Sequence, residues 1–175
     1  MKATSHAVVD TNVLLVANEQ HENISPEGVI ACIERLELLR KSGCVVLDDG
    51  YEILREYGQK TKPNTGNRFG DGFLKWLLQN IGNTQYVTQV HIEKHAERGY
   101  VEFPDDTELS EFDQDDRKFV AVAAAHPRRP PILQGTDSKW MLWSDRLSVH
   151  GIEVEFLCPG DIAEFVKRKR GKHDE

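Results

Sequence analysis

Apolar positions along this chain change period again and again, and each change predicts an element. Residues 6–10 (His-Ala-Val-Val-Asp) run apolar into a carboxylate and predict a short buried strand. Thr11-Asn12 breaks it, and residues 13–16 read as one helical turn. Ser25 is an N-cap residue, Pro26 suits the first helical position, and Glu27 puts a negative charge in the first turn. Val29, Ile30, Ile33, Leu36 and Leu39 then recur at helical spacing until Ser42-Gly43. Cys44-Val45-Val46-Leu47 is a continuous apolar run of strand length, the pattern of a parallel strand buried on both faces. Asp48-Asp49-Gly50 punctuates it, with Asp48 and Asp49 read as turn and cap residues, and a helix is predicted over 51–60 with Ile53, Leu54 and Tyr57 inward.

The polar stretch 61–70 predicts a loop, 72–81 a compact helix, and 86–90 a strand or extended connector. Residues 91–110 are irregular and acidic. A helix is expected from near Asp113 through the alanine-rich run 119–125, ended by Pro127 and the Pro130-Pro131 pair. Ile132-Leu133 reads as a short strand before Gly135-Thr136-Asp137. Residues 140–143 read as helix, 152–157 as a last strand and 161–167 as a final helix. Strands alternating with helices predict a three-layer α/β/α sandwich around a mostly parallel sheet. One domain over 1–166 is expected, followed by a charged tail over 167–175.

Composition narrows the function classes. The 175 residues suit a single core, and a content of 39% apolar and 29% charged residues is ordinary for a globular domain. No apolar run approaches the about 20 residues of a membrane helix, and the first residues lead directly into a strand-like run. The expectation is therefore a cytoplasmic protein with no membrane partner. Cys32, Cys44 and Cys158 form no CxxC pair, which disfavours a structural zinc site or a disulfide framework. His91 and His95 lack the His-Glu-x-x-His pattern of a zinc protease, and Asn12 replaces the second acid of an Asp-x-Asp phosphatase. Trp76, Trp140 and Trp143 read as packing residues, one of which could instead stack a base. Arg68, Arg128-Arg129 and the run 167–170 are the candidate phosphate contacts.

The net charge of −7 does not argue against a nucleic-acid enzyme, because a metal site concentrates carboxylates and its cations reverse the local field. Ligands of parallel α/β sheets bind beyond the carboxyl ends of the strands. Asp10 stands at one such end and Asp137 just after another. Asp116 opens the alanine-rich helix, with Asp113 and Asp115 close by, and Glu52 and Glu56 share one face of the helix after Leu47. Carboxylates from distant segments with no His or Cys among them suit Mg²⁺ or Mn²⁺. Two such ions about 4 Å apart can serve phosphodiester hydrolysis.

Four segments in order carry a resemblance to the PIN-domain nucleases. Val8-Val9-Asp10-Thr11-Asn12 is similar to the opening motif. Ile53-Leu54-Arg55-Glu56-Tyr57 resembles the second motif, Asp116 with its alanine-rich helix the third, and Gly135-Thr136-Asp137 the fourth. The resemblance implies an endoribonuclease acting on single-stranded RNA rather than DNA, with activated water as nucleophile. Asp10, Glu56, Asp116 and Asp137 would be the catalytic metal ligands, Glu52 the alternative to Glu56, and Asp113 an outer contributor. Thr11, Asn12 and Thr136 would steady a carboxylate or bind substrate phosphate. The same resemblance admits a homodimer and an antitoxin or regulatory protein as partners. It also admits a toxin or defence nuclease, or a catalytically silent scaffold. Segments 60–72 and 91–110 are additions to the compact toxin pattern.

Overall fold

The computed structural model describes residues 5–172. Its central sheet contains β1 (Ser5–Val9), β2 (Gly43–Asp48), β3 (Val87–Val90), β6 (Ile132–Gln134) and β7 (Val154–Phe156). Two short strands, β4 (Lys94–His95) and β5 (Gly99–Tyr100), pair antiparallel as a separate hairpin within the stretch expected to be irregular. The sheet order is β3-β2-β1-β6-β7 and every pairing is parallel. Among the described residues, seven α-helices complete the predicted three-layer α/β/α sandwich: α1 (Thr11–Ala17), α2 (Pro26–Ser42), α3 (Glu52–Lys60), α4 (Phe69–Gln79), α5 (Arg117–Ala125), α6 (Lys139–Val149) and α7 (Pro159–Gly171).

β1 and β2 are apolar because both their faces are covered. Ala7, Val8, Val9, Val45, Val46 and Leu47 are all fully buried. α5 lies along β1, β2 and β6, which explains its alanines: small side chains let the helix approach the sheet closely. α1, α2 and α4 pack on one another, and α2 also packs on β1 and β2. No helix among the described residues is long and apolar enough to cross a membrane.

Several boundaries move from their predicted places. The buried stripe of α2 is Gly28, Cys32, Leu36 and Leu39, whereas Ile30 is exposed. The stripe rotates because a Cβ at Gly28 would stand 2.3 Å from Asp161 Oδ2, so the helix meets the start of α7 through its smallest residue. α4 begins at Phe69, inside the expected loop, and α6 runs a further turn and a half because Trp140 and Leu147 share one buried face. α5 begins at Arg117, with Asp116 as its cap residue and not a residue of its first turn. α7 extends through Gly171, so the segment expected to begin a tail continues the helix to that residue. Arg168, Lys169 and Arg170 in its last turn oppose the negative end of the helix dipole. Residues 173–175 of that expected tail lie outside the described residues.

The turn from α1 to α4 is held by a polar knot. The buried Asp71 carboxylate accepts from the backbone N–H of Lys62 at 2.8 Å, from that of Arg68 at 3.3 Å and from Asn18 Nδ2 at 3.0 Å. Gly70 permits the approach, because a Cβ there would lie 2.5 Å from the Leu14 carbonyl oxygen. Asp71→Ala leaves these donors without partners, and a loss of about 3 kcal/mol is expected. Urea denaturation should show a lower midpoint with an unchanged m-value.

Candidate metal and phosphodiester site

The sheet order reverses between β1 and β6, the topological switch point at which open α/β sheets bind ligands. Asp10 immediately follows β1, and its backbone N–H donates to the Leu133 carbonyl at 3.0 Å, which ties the two strand ends together. Asp10 Oδ1 accepts the Asn12 N–H at 2.8 Å, so part of this carboxylate caps α1. Asn12 reaches across the gap: its Oδ1 accepts from the backbone N–H of Thr136 at 2.7 Å and from Thr136 Oγ1 at 3.2 Å. Gly135 makes this latch possible, since a Cβ there would come within 2.4 Å of Asn12 Oδ1. Asn12 and Thr136, expected to bind substrate, also join the loop after β6 to the start of α1, and both line a recess with Asp137.

Thr11 Oγ1 donates to Glu56 Oε2 in a short hydrogen bond. The other oxygen, Oε1, lies 3.0 Å from Lys118 Nζ. Lys118 also donates to the Asp115 carbonyl and is 9% exposed, a cation set into the edge of the acid cluster. Glu52 points elsewhere. Its carboxylate is 2.6 Å from Lys94 Nζ and accepts from Tyr100 Oη at 2.5 Å, leaving Glu56 as the acid of α3 that faces Asp10. Tyr57 directly follows Glu56 in sequence and is fully buried. It donates from Oη to the carbonyl of Val9 in a short hydrogen bond, pinning α3 to the end of β1. α3 itself starts after a left-handed Tyr51 (φ 60°), and Asp48 does the capping by accepting the N–H groups of Glu52 at 2.8 Å and Ile53 at 3.0 Å.

Asp116 makes no capping hydrogen bond from its side chain, although it occupies the cap position of α5. Its carboxylate is left for the cluster. Asp137 Oδ1 accepts the Lys139 N–H at 3.0 Å and so is shared between the start of α6 and the site. Asp113 stands beside Asp116 and repels it. Burial, and after it the charge of Asp116, push the Asp10 carboxyl well above the usual carboxylate range, with Glu56 and Asp137 adding to the effect. Burial, then Asp113, Asp137 and Glu56, push Asp116 up to about 7, while Lys118 pulls the other way. One lysine does not balance this many carboxylates.

An oxygen-only donor set with uncompensated negative charge has the chemistry of a Mg²⁺ or Mn²⁺ site. Among the described residues, however, no three His, Cys, Asp or Glu side chains stand in an arrangement that encloses an ion. The hydrogen bonds above occupy part of the donor set. Both oxygens of Glu56 are engaged by Thr11 and Lys118, and one oxygen each of Asp10 and Asp137 is engaged by a backbone N–H. Asp10, Asp116 and Asp137 are the residues that would hold a cation, with Glu56 joining them only on leaving Lys118.

Lys118, Tyr57 and Gly135 carry roles that no motif assigned to them. A lysine in an alanine-rich helix reads as a solvent-facing residue, and nothing in the local sequence reveals that it turns inward. The tryptophans do pack: Trp140 is 1% exposed against Phe112, and Trp76 stacks near Phe73 and Tyr86. Trp143 lines a recess beside Asp116. His91 is exposed and pairs with Asp49. The three cysteines are buried and free, with the Sγ atoms of Cys32 and Cys158 3.7 Å apart.

The raised carboxyl of Asp116 has a stability consequence with a definite sign. Its protonated form is favoured by folding, so the stability it lends is complete below about pH 4 and disappears as pH rises through about 7. In chelator, the melting temperature should fall across that window, and Asp116→Asn should flatten the fall. No family model, curated protein or solved structure matches this chain.

Proposed function

We propose that this chain is a metal-dependent endoribonuclease with a PIN-like site, hydrolysing phosphodiester bonds of single-stranded RNA. One observation carries the reading. Asp10, Glu56, Asp116 and Asp137 come from four separate segments near the switch point of the sheet, and the charges of Glu56 and Asp137 add to the raised proton affinity of Asp10 and Asp116. A purely structural role gives no reason to gather four acids where burial penalises each charge. A bound Mg²⁺ or Mn²⁺ supplies polarisation of a phosphoryl oxygen and activation of a water.

The chain's own residues account for the rest. Asp10, Asp116 and Asp137 bind the cation, and the Asn12–Thr136 latch keeps the first and last of them in register. Thr11 orients Glu56, and Lys118 offers a fixed positive charge to a phosphate arriving at the acids. The preference for RNA over DNA, a homodimer, and an antitoxin or other regulatory partner rest on the resemblance of the motifs alone.

A second reading is favoured by the ion pair between Lys118 and Glu56. A lysine that satisfies the helical acid could leave a catalytically silent scaffold that binds RNA or protein. Manganese titration separates the two. The nuclease reading expects saturable Mn²⁺ binding that Asp116→Ala abolishes, and a silent scaffold shows no carboxylate-dependent binding.

Cleavage of mixed RNA and DNA substrates with Mg²⁺, Mn²⁺ or chelator tests the main reading directly. Asp10→Ala and Asp116→Ala should each reduce metal-dependent RNA cleavage by more than about 100-fold, beyond what loss of an outer-shell partner costs. Their melting temperatures in chelator should hold or rise, because each removes a charge from a repelling cluster. Full activity in Asp10→Ala would refute the assignment.

A further inference from the structure

A groove of about 650 Å³ lies between α3 and the β4–β5 hairpin, and Glu56, the member of the acid cluster contributed by α3, is in its wall. Glu56 and Lys118 stand at its junction with the acids, and its walls carry Arg55, Lys60, Lys94 and Tyr100. Four cations face three carboxylates, on a chain whose net charge is −7. Two of those carboxylates are already matched: Glu52 by Lys94 and Tyr100, Glu56 by Lys118 and Thr11. The third belongs to Asp115. Arg55 and Lys60, by contrast, have no side-chain partner among the described residues. They are five residues apart on α3, a rise of about 7.5 Å, on the order of one step of an extended nucleotide strand.

Three of the other basic residues that the sequence offers are less suited to this task, and Lys169 lines a separate recess with Asn12, Thr136 and Asp137. Arg128 reaches His6 and Arg129 donates to the His150 carbonyl, near the amino ends of β1 and β6 and so away from the acids. Arg68 donates to the Asn18 carbonyl at 2.6 Å. Nor does the groove present a base-reading surface. The face of Tyr100 is covered by Lys94, whose Nζ lies 4.4 Å from the ring centroid, and its hydroxyl is given to Glu52. His95 accepts the N–H groups of Glu97 and Arg98 on Nδ1, so its remaining nitrogen is a donor. Free guanidinium, ammonium and imidazole N–H groups can bind phosphate oxygens, and contacts of that kind carry no sequence information.

We infer that this groove holds the phosphate backbone of a single nucleic-acid strand as it leaves the acid site, with Arg55 and Lys60 as its backbone contacts. The inference rests on the nuclease reading for the identity of the polyanion. It adds the path of the strand and a contact that reads no bases.

Fluorescence anisotropy of a labelled mixed-sequence oligoribonucleotide, in chelator so that nothing is cut, tests it. The proteins compared are the wild type, Asp116→Asn and the double variant Arg55→Glu/Lys60→Glu. Wild type and Asp116→Asn should bind. The double variant should bind at least about 10-fold more weakly, and its plot of log affinity against log salt should be shallower by about 1.4, two contacts at about 0.7 each. An oligouridylate should show the same loss. Neither side chain has a partner among the described residues, so the melting temperature should fall by no more than a few degrees, the cost of reversing a charge in the last turn of α3, and Arg55→Ala/Lys60→Ala should give a smaller loss of binding in the same direction. Wild-type affinity and slope in the double variant would overturn the groove and leave the nuclease reading standing. Binding that depends on Arg55 and Lys60 without any metal-dependent cleavage would keep the groove and reject the nuclease. Failure of the wild type to bind any strand would overturn both. Tighter binding of a duplex, or of a poly-glutamate peptide, would overturn the proposal in favour of a different polyanion.

Discussion

The parallel pairing of β1 with β2 on one edge and β6 on the other decides where the acids meet. β1 is the strand at which the sheet order turns, so its carboxyl end faces a gap that no crossover helix fills. Asp10 is delivered to that gap by the strand itself, and Asp137 by the loop after β6. α3 delivers Glu56 from the β2 side, and α5, lying along β1, β2 and β6, delivers Asp116 from its cap position. If β1 slipped by one residue, its apolar side chains would change faces and Asp10 would lose its bond to Leu133.

Gathering these carboxylates works against the fold. Burial and mutual repulsion favour protonation of Asp10 and Asp116, and the protein answers with short-range devices that serve other purposes as well. The Asn12–Thr136 latch closes the gap between the strand ends, and Tyr57 ties α3 to the Val9 carbonyl. Lys118 supplies one positive charge inside the protein. The residual imbalance is what a divalent cation would relieve, and it links the stability of the metal-free fold to the chemistry proposed for it.

Around this centre the surface is asymmetric. Toward α3 and the β4–β5 hairpin the walls are polar and carry unpaired cations, while toward α6 they carry Trp143 and the exposed Leu142. The stretch 91–110, irregular by its sequence pattern, therefore builds one wall of the groove. Its hairpin is held by the Lys94–Tyr100–Glu52 contacts and by the tie from Arg98 to the Val101 carbonyl at 3.1 Å.

Sequence alone determined the alternation of strands and helices, the buried apolar runs of β1 and β2, and the placing of Asp10, Asp116 and Asp137 at strand or helix boundaries. These are local properties: apolar runs, caps and breakers act within a few residues and leave a period or a composition to read. It narrowed the acid of α3 to Glu52 or Glu56, because residues four apart share a helical face, and only the resemblance of residues 53–57 to the second motif put Glu56 ahead. The tertiary structure separated them, through Lys94 and Tyr100 of the hairpin, which claim Glu52 and leave Glu56 to Thr11 and Lys118. It also turned Lys118 inward, rotated the buried stripe of α2 toward Gly28, and made Asn12 and Thr136 a latch. Each of these depends on which segments the sheet brings together across more than forty residues, and no pattern along the chain encodes that proximity.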